Sequence, residues 1–207
     1  MASSPRLAIA LLAAGRSERF GVEDKLGADL AGKPLGLHAA GTLARCDADH
    51  RWVIASRADH PCSAAWRAEG WDIAVNSRAS EGMGTSVALA AGLAEEHGAD
   101  LLLIALADMP LVPLAHFEAL VAAARNRPED ALAATFTETV RMPPACFGKA
   151  RFASLAVLDG DEGARRLLSG AISVTCAADA LVDVDEPDTL DRLRERLRGR
   201  QGCKAPE

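Results

Sequence analysis

Small and basic residues that could bind phosphate occur together near the start of the chain. The stretch LLAAGRSERFGVEDK places Ala13, Ala14 and Gly15 directly after an apolar run and then supplies Arg16 and Lys25. Small side chains let backbone N–H groups approach phosphates closely, and the two basic side chains add positive charge. A strand-to-helix turn with solvated charges explains the same pattern equally well. The stretch therefore predicts a phosphate-binding loop or an ordinary connection.

Carboxylates follow two apolar runs elsewhere in the sequence. Asp108 comes directly after the run LLLIALA, and Pro110 prevents that run from continuing. In LVDVDEPDTL, Asp183 and Asp185 alternate with apolar residues before the helix start at Pro187. Carboxylates at strand ends are suited to a divalent cation, so one member of the second pair could share a cation with Asp108. Turn and helix-cap roles are the alternatives.

Two further segments combine glycine with polar side chains. EGMGTS, which contains Gly84 and Ser86, precedes an apolar helical pattern and could contact a base, a ribose or a phosphate. A flexible helix cap is the alternative. DGDEGARRLL leads into a helix that carries Arg165 and Arg166, and these side chains either bind an acidic acceptor or are simply solvated.

Two patterns imitate nucleotide-binding motifs without completing them. GADLAGK matches GxxxxGK, but Pro34 follows where a phosphate loop needs a serine or threonine for magnesium. A turn before a proline-started helix is predicted there instead. GMGTSV has Val87 where a dinucleotide motif needs its third glycine, and no strand ends immediately before Gly82. A nicotinamide-dependent oxidoreductase is therefore a distant alternative.

Short apolar runs alternate with helical patterns along the chain, which predicts an α/β fold with a mostly parallel sheet and helices on both faces. In such folds ligands bind beyond the carboxyl ends of the strands. The predicted strands are Leu7 to Leu12, Trp52 to Ala55, Ile73 to Val75, Leu101 to Ala107, Ala131 to Thr135, Ile172 to Cys176 and Leu181 to Val184. The predicted helices are Pro34 to Ala44, Ser63 to Ala68, Thr85 to Glu96, Leu114 to Ala124, Glu162 to Leu168 and Pro187 to Leu197.

Length and composition predict one domain over residues 1–198, followed by a frayed tail over 199–207. A net charge of −6 argues against a nucleic-acid or membrane-surface partner. No apolar run is long enough to span a bilayer, and the expected location is the cytoplasm. The five scattered cysteines predict reduced thiols. His60 and Cys62, in HPC, are predicted to be surface turn residues because zinc needs four ligands.

The order of these motifs, from LLAAGRSERFG through GMGTS, ALADMPLVP, PPACFG and DGDEGAR to DVDEP, resembles the molybdenum cofactor cytidylyltransferases, relatives of the molybdopterin guanylyltransferases. The resemblance extends over roughly Leu7 to Leu197. It implies a three-layer α/β/α Rossmann-like nucleotidyltransferase fold with a mostly parallel, mixed sheet. It also implies a Mg²⁺-dependent reaction that releases pyrophosphate.

The resemblance assigns roles to particular residues. Ala13, Ala14, Gly15 and Arg16 would bind the triphosphate, and Lys25 would counter its charge. Gly84 and Ser86 would line the nucleotide pocket, and Asp108 and Asp185 would hold Mg²⁺. The segments Pro143 to Phe147 and Asp161 to Arg165 would lie towards the acceptor.

The resemblance implies transfer of CMP from CTP to the terminal phosphate of molybdopterin. An anionic acceptor needs no general base, which agrees with the absence of histidine and cysteine from most of these motifs. Ala14 favours CTP, because the guanylyltransferase relatives tend to have Ala-Gly-Gly here. Alternatives are GTP as the donor, a sugar phosphate as the acceptor, or a non-catalytic protein that holds a nucleotide or the cofactor. A molybdenum hydroxylase or its chaperone is the expected protein partner.

Overall fold

Apolar strands in the middle of the sheet are covered on both faces, as their uninterrupted hydrophobic sequences require. The computed structural model describes residues 4–15, 20, 24–127, 130–160 and 167–202. The main sheet has seven strands, which are β1 (Leu7–Ala13), β4 (His50–Ala55), β5 (Asp72–Val75), β6 (Leu101–Leu106), β7 (Leu132–Thr137), β8 (Val140–Gly148) and β9 (Ile172–Thr175). Their order across the sheet is β5-β4-β1-β6-β8-β7-β9.

Helices cover both faces of the sheet and complete a three-layer arrangement. They are α1 (Gly36–Leu43), α2 (Ser63–Ala68), α3 (Met83–Glu96), α4 (Leu114–Arg125), α5 (Phe152–Ala156) and α6 (Pro187–Gly202). Ile9 and Leu11 of β1 belong to a core shared with α1, α2, α4 and α6. The alternate residues Ala8 and Ala10 belong to a second core, shared with α3 and α5. The predicted α/β/α class is confirmed.

The order of connections creates a switch point beside β1. Strand β1 pairs in parallel with β4 on one side and with β6 on the other. The chain moves outwards from β1 through β4 to β5 and then returns to β6 across β1. Loops that follow β1 and β6 therefore diverge and leave a crevice at the carboxyl edge of the sheet.

Strand β8 makes the sheet mixed, because it is antiparallel to both β6 and β7. Its sequence, VRMPPACFG, contains two prolines, which are atypical of a strand inside a sheet. The β7–β8 register shifts at Ala134/Thr135, next to the prolines, and this irregularity accommodates residues that cannot donate a ladder hydrogen bond. The Thr135 hydroxyl donates to the carbonyl of Pro144 and is contacted by buried His116, which holds the irregular part of the strand.

Several predicted boundaries are wrong for identifiable reasons. Leu181 to Val184 is not a strand, although its apolar residues Leu181 and Val184 are buried. GADLAGK forms the hairpin strands β2 (Asp29–Leu30) and β3 (Lys33–Pro34), so the predicted helix begins at Gly36 rather than Pro34. The last helix continues to Gly202, into the segment predicted to be a tail. Most of the helix predicted at Glu162 to Leu168 lies outside the described residues.

None of the described helices is both long enough and apolar enough to cross a membrane. Within the described part of the chain, Cys46, Cys62, Cys146 and Cys176 are free thiols, as their scattered spacing predicts.

Candidate active site

Three charged side chains meet at the carboxyl edge of the sheet, in the crevice beside β1. The Lys25 ammonium donates to Asp108 Oδ2 at 2.6 Å and to Asp185 Oδ1 at 2.7 Å. The side chain of Lys25 is 8% exposed, that of Asp108 20% and that of Asp185 48%. The structure thus brings together the lysine and both carboxylates that the resemblance singles out. We call Lys25, Asp108 and Asp185 the charged cluster.

Backbone hydrogen bonds fix the spacing of the loops that carry these residues. The N–H of Ala107 donates to the carbonyl of Leu12, which keeps the end of β6 beside the end of β1. The N–H of Val184 donates to the carbonyl of Asp108, and Val184 itself is fully buried. Asp185 therefore follows directly after a residue that is anchored by a backbone hydrogen bond and by its buried side chain, where the sequence pattern predicted a strand.

A short turn below the crevice presents Lys25. Residues Lys25–Gly27 form one turn of 3₁₀-helix, and Asp24 caps it by accepting the N–H of Leu26 at 3.0 Å. His60 lies under this cap, with its Nε2 2.9 Å from Asp24 Oδ2. The prediction that His60 and Cys62 are surface turn residues is wrong, because both are buried. Sequence reasoning missed Asp24 and His60, because neither follows a strand.

Burial and charge act in opposite directions on the charged cluster. Burial alone would lower the pKa of Lys25, but Asp108 and then Asp185 hold that pKa above its ordinary value. Burial raises the pKa of Asp108 above its ordinary value, although the Lys25 ammonium opposes this. A carboxylate that is only partly compensated for its burial attracts further positive charge. The neighbouring carboxylates therefore favour the protonated form of Lys25, whereas the ionised form of Asp108 is only partly compensated for its burial.

The donor set around Asp108 fits a magnesium ion. Asp108 Oδ1 is buried, and no group among the described residues donates a hydrogen bond to it. Mg²⁺ is commonly held by one or two carboxylates together with water and substrate phosphates. The described residues contain no group of three or more acidic, histidine or cysteine side chains suited to a metal. If Mg²⁺ is held here, the two carboxylates of the charged cluster would be its protein ligands, and water and phosphate oxygens would fill the remaining positions.

The predicted phosphate loop follows β1 directly into the same crevice. Ala13 and Ala14 are buried, and Gly15 is exposed. A Cβ atom added at Gly15 would meet no atom of the described residues within 4 Å. As far as the described residues reach, the space beside the Gly15 backbone is open, which is the condition for close approach of a phosphate. Arg16 lies outside the described residues.

A second polar cluster lies at the same edge of the sheet, beyond β5. The side-chain amide of Asn76 donates to Thr85 Oγ1 at 2.8 Å and to Ser86 Oγ at 2.9 Å, and all three residues are buried. Asn76 Oδ1 accepts the N–H of Arg78 at 2.9 Å. We call Asn76, Thr85 and Ser86 the neutral cluster. Asn76 was missed by the sequence reasoning, although it follows β5 as Asp108 follows β6.

Gly84 packs against backbone rather than facing open space. Its N–H donates to the carbonyl of Gly160 at 2.8 Å, and a Cβ atom at Gly84 would lie 2.6 Å from that same oxygen. The start of α3 is therefore clamped to the segment Asp159–Gly160. Both residues predicted to line the nucleotide pocket, Gly84 and Ser86, are already engaged in internal contacts.

The segments predicted to face the acceptor divide between the core and the rim. In Pro143 to Phe147, all residues after Pro143 are buried within β8, while Pro143 is half-buried. Ile104 of β6 lies opposite Ala145, which puts Pro143 near the level of the carboxyl end of β6. The stretch Asp161 to Arg165, together with Arg166, lies outside the described residues.

A switch-point crevice lined by a small-residue loop, a lysine and two carboxylates defines a class of α/β enzymes that act on nucleotides. The chain belongs to the MobA-like NTP transferase domain family, whose model matches residues 9–184. It is thus a nucleotidyltransferase, and the family resemblance drawn from the motifs is confirmed.

Individual relatives agree with this assignment. Purine catabolism protein PucB of Bacillus subtilis (strain 168) is 36% identical over 208 residues, which cover 94% of this chain and 98% of that protein. The crystal structure of Rv0371c from Mycobacterium tuberculosis H37Rv superposes with a TM-score of 0.74 at 24% identity, covering 93% and 100% of the two chains. A nucleotidyl transferase from Methanothermobacter has a TM-score of 0.77 at 17% identity, covering 94% and 99%. These two structural matches support the fold.

Proposed function

We propose that this nucleotidyltransferase transfers CMP from CTP to the terminal phosphate of molybdopterin and releases pyrophosphate. The observation that carries the proposal is the charged cluster, in which one buried carboxylate oxygen has no hydrogen-bond donor among the described residues. In the reaction, an oxygen of the acceptor phosphate attacks the α-phosphorus of CTP. The bond from that phosphorus to the bridging oxygen of the β-phosphate breaks, and pyrophosphate leaves.

The residues divide the work by charge. Backbone N–H groups of Ala13, Ala14 and Gly15, with Arg16, would hold the triphosphate in line for attack. Lys25 would neutralise charge on the triphosphate as pyrophosphate departs. Asp108 and Asp185 would hold Mg²⁺, which when bound supplies Lewis-acid stabilisation of the phosphate oxygens. Because the acceptor phosphate is already anionic, none of these groups has to remove a proton.

Gly84 and Ser86 enter the proposal through the start of α3. Because the Ser86 hydroxyl accepts from Asn76 and Gly84 abuts Gly160, these residues would shape one wall of the nucleotide pocket by fixing the backbone. Direct contacts to the base or ribose would then come from neighbouring backbone groups. This is a positioning role, and it differs from direct binding by the Ser86 side chain.

A pyrophosphate-release panel tests the donor and the acceptor together. CTP, GTP, ATP and UTP are each supplied with Mg²⁺ and with molybdopterin, a sugar phosphate or no acceptor. The proposal predicts fastest release with CTP and molybdopterin. Fastest release with GTP would assign guanylyl transfer, and release only with a sugar phosphate would reassign the acceptor. Tight CTP binding by calorimetry without turnover under any condition would favour a non-catalytic binding protein.

The loop after β1 supplies a test of nucleotide choice. We expect Ala14→Gly to shift the ratio of kcat/KM for CTP over GTP towards GTP by about tenfold, a usual effect of one methyl group in a specificity pocket. Both nucleotides are measured on one preparation, so partial unfolding cancels from the ratio. An unchanged ratio would mean that the loop binds phosphates only and that base choice is made elsewhere.

The name of the Bacillus subtilis relative extends the proposal to the recipient of the product. That relative is named for purine catabolism. We include in the proposal a molybdenum hydroxylase that acts on a purine, or the chaperone of such an enzyme, as the protein partner. Co-purification of the chain with that hydroxylase, dependent on molybdopterin, is the expected result.

A further inference from the structure

The turn that presents Lys25 is held from below by a separate segment of the chain. Cys62 Sγ lies 3.2 Å from the carbonyl of Leu26 and donates to it. A Cβ atom at Gly27 would lie 3.5 Å from the side chain of Pro61, an ordinary van der Waals distance, so the Pro61 ring lies beside the turn. His60 also approaches Asp24, so the three consecutive residues His60 to Cys62 all contact the turn that carries Lys25. We call the segments Asp24–Gly27 and His60–Cys62 together the clasp.

The imidazole of His60 is fixed in one orientation. Its Nδ1 accepts the backbone N–H of Cys62 at 3.1 Å, so the ring proton is on Nε2, the atom that faces Asp24. The ring stacks on Trp66 with 4.7 Å between centroids. The indole N–H of Trp66 donates in turn to the carbonyl of Gly36 at 3.0 Å. The His60 side chain is 0% exposed and cannot turn without disturbing this stack.

Asp24 connects His60 with the turn that carries Lys25. One carboxylate oxygen faces His60, and the other accepts the N–H of Leu26, which is two residues further along the turn. Lys25 lies between these two positions in the chain, so its backbone belongs to the turn that Asp24 caps. The ammonium of Lys25 must reach two carboxylates at 2.6 Å and 2.7 Å, distances that leave little room for a shifted backbone.

We propose that His60 is a positioning residue for Lys25, acting through the carboxylate of Asp24. The imidazole Nε2, 2.9 Å from Asp24 Oδ2, holds the carboxylate of the cap in place by close polar contact. The cap then holds the 3₁₀ turn, and the turn directs the ammonium towards Asp108 and Asp185. The effect on turnover rests on the proposed nucleotidyl transfer. The effect on Lys25 itself does not depend on any reaction.

Competitive acetylation of the full chain measures the effect on Lys25 directly. The sequence contains four lysines, Lys25, Lys33, Lys149 and Lys204, so each can be quantified by mass spectrometry. In His60→Leu and in Asp24→Ala, we expect Lys25 to react about tenfold faster relative to Lys33, equal to losing about 1.4 kcal/mol of ion-pair stabilisation. His60→Gln, which retains an N–H donor, should restore most of the protection.

A distant histidine and a core thiol provide the controls. His97 lies after α3, far from the clasp in the chain, and His97→Gln should leave Lys25 labelling unchanged. Cys146 is 0% exposed, so its reaction with a thiol reagent reports global unfolding. If His60→Leu fails this check, Asp24→Ala decides, because the Asp24 side chain is already 26% exposed. Unchanged Lys25 labelling in folded Asp24→Ala, or an equal rise in His97→Gln, would overturn the proposal.

Turnover gives a second readout that separates the two proposals. With CTP and molybdopterin, His60→Leu and Asp24→Ala should lower kcat about tenfold and change KM less than about twofold, the pattern of a lost transition-state interaction. Faster Lys25 labelling in a protein that transfers no nucleotide would retain the clasp and refute the proposed function. Unchanged labelling in an active enzyme would refute the clasp alone.

Discussion

The charged cluster and the neutral cluster lie at the same edge of the same sheet, yet they differ in how far their polar groups are satisfied by hydrogen bonds. In the charged cluster, Asp185 is half exposed and Asp108 keeps one buried oxygen without a hydrogen-bond donor among the described residues. In the neutral cluster, buried amide and hydroxyl groups bond to one another and to nearby carbonyls. Unmet polar capacity is costly in a folded protein. The unmet oxygen of Asp108, beside a second carboxylate in the crevice, is consistent with a ligand site. The satisfied amide of Asn76 is consistent with a supporting role.

This difference assigns chemistry to one cluster and architecture to the other. Substitution of a carboxylate in the charged cluster should reduce turnover while the fold persists. Substitutions in the neutral cluster should reduce stability while turnover per folded molecule persists. An exchange of these two outcomes would break the comparison.

The largest effect is expected for Asp108→Asn. The amide oxygen can still accept from Lys25, and Asp185 still pairs with that ammonium, so the fold should remain intact. The negative charge for Mg²⁺ is lost, and pyrophosphate release should fall by about 10²- to 10³-fold, the usual loss for one electrostatic stabiliser of a transition state. Circular dichroism supplies the folding control. A folded and fully active variant would remove Asp108 from the proposed metal site.

Lys25→Met should produce a pH-dependent loss of stability. Burial already raises the pKa of Asp108 with Lys25 present, and removing the ammonium raises it further. A carboxyl whose folded pKa is raised stabilises the fold below its unfolded pKa and loses that contribution as the pH rises through the folded pKa. We expect a cost of about 3 kcal/mol in the free energy of unfolding at pH 8, as for breaking a buried ion pair, and a smaller cost at pH 5.

The control for this prediction is Lys33→Met, which alters a lysine outside the charged cluster. Urea denaturation at both pH values gives the free energies. A cost that is the same at pH 5 and pH 8 would mean that ionisation of the buried Asp108 carboxyl does not determine the effect.

Asn76→Ala should lower stability by about 2 kcal/mol, because the hydroxyls of Thr85 and Ser86 lose a buried donor and the N–H of Arg78 loses its acceptor. Urea denaturation measures this loss. For folded protein, kcat should stay within about twofold of the wild-type value. A loss of kcat as large as that in Asp108→Asn would place Asn76 among the groups that contact substrate.

Gly84→Ala should destabilise the fold by about 3 kcal/mol, because the new Cβ would lie 2.6 to 2.8 Å from backbone atoms of Asp159 and Gly160, which cannot move aside as a flexible side chain can. Gly92→Ala is a matched control in the same helix, since a Cβ there meets no atom of the described residues within 4 Å. That control should be stabilised by about 0.5–1 kcal/mol through helix propensity. Equal melting temperatures for the two variants would show that the contact of α3 with Gly160 is loose.

The central strands could be predicted because their continuous apolar sequences show that both of their faces are buried. LAIALLA and LLLIAL are apolar on both faces, which only a covered, mostly parallel sheet requires. Strand β8 could not be predicted in this way, because Pro143 and Pro144 sit where its register is irregular. The apolar alternation at 181–184 was misleading for the opposite reason. Those residues fill the core beside Asp108 without joining the ladder.

The parts of the site that directly follow a strand could be predicted, because ligands bind beyond the carboxyl ends of parallel strands. Asp108 and the loop after β1 follow strands that are neighbours in the sheet, so their proximity follows from topology. The clasp could not be predicted, because it depends on a buried histidine whose sequence context, HPC, is typical of an exposed turn. Whether such a residue is buried is decided by Trp66 and Asp24, which come from other elements.

The fate of the phosphorus atoms of CTP tests nucleotidyl transfer at the charged cluster most directly. CTP labelled at the α-phosphorus, and separately at the γ-phosphorus, is incubated with Mg²⁺ and molybdopterin, with wild-type protein and with Asp108→Asn. We predict that the α-label enters the molybdopterin product and that the γ-label leaves as pyrophosphate, both about 10²- to 10³-fold more slowly with Asp108→Asn than with wild-type protein. Appearance of the γ-label in the acceptor, or equal α-transfer by Asp108→Asn, would contradict the mechanism.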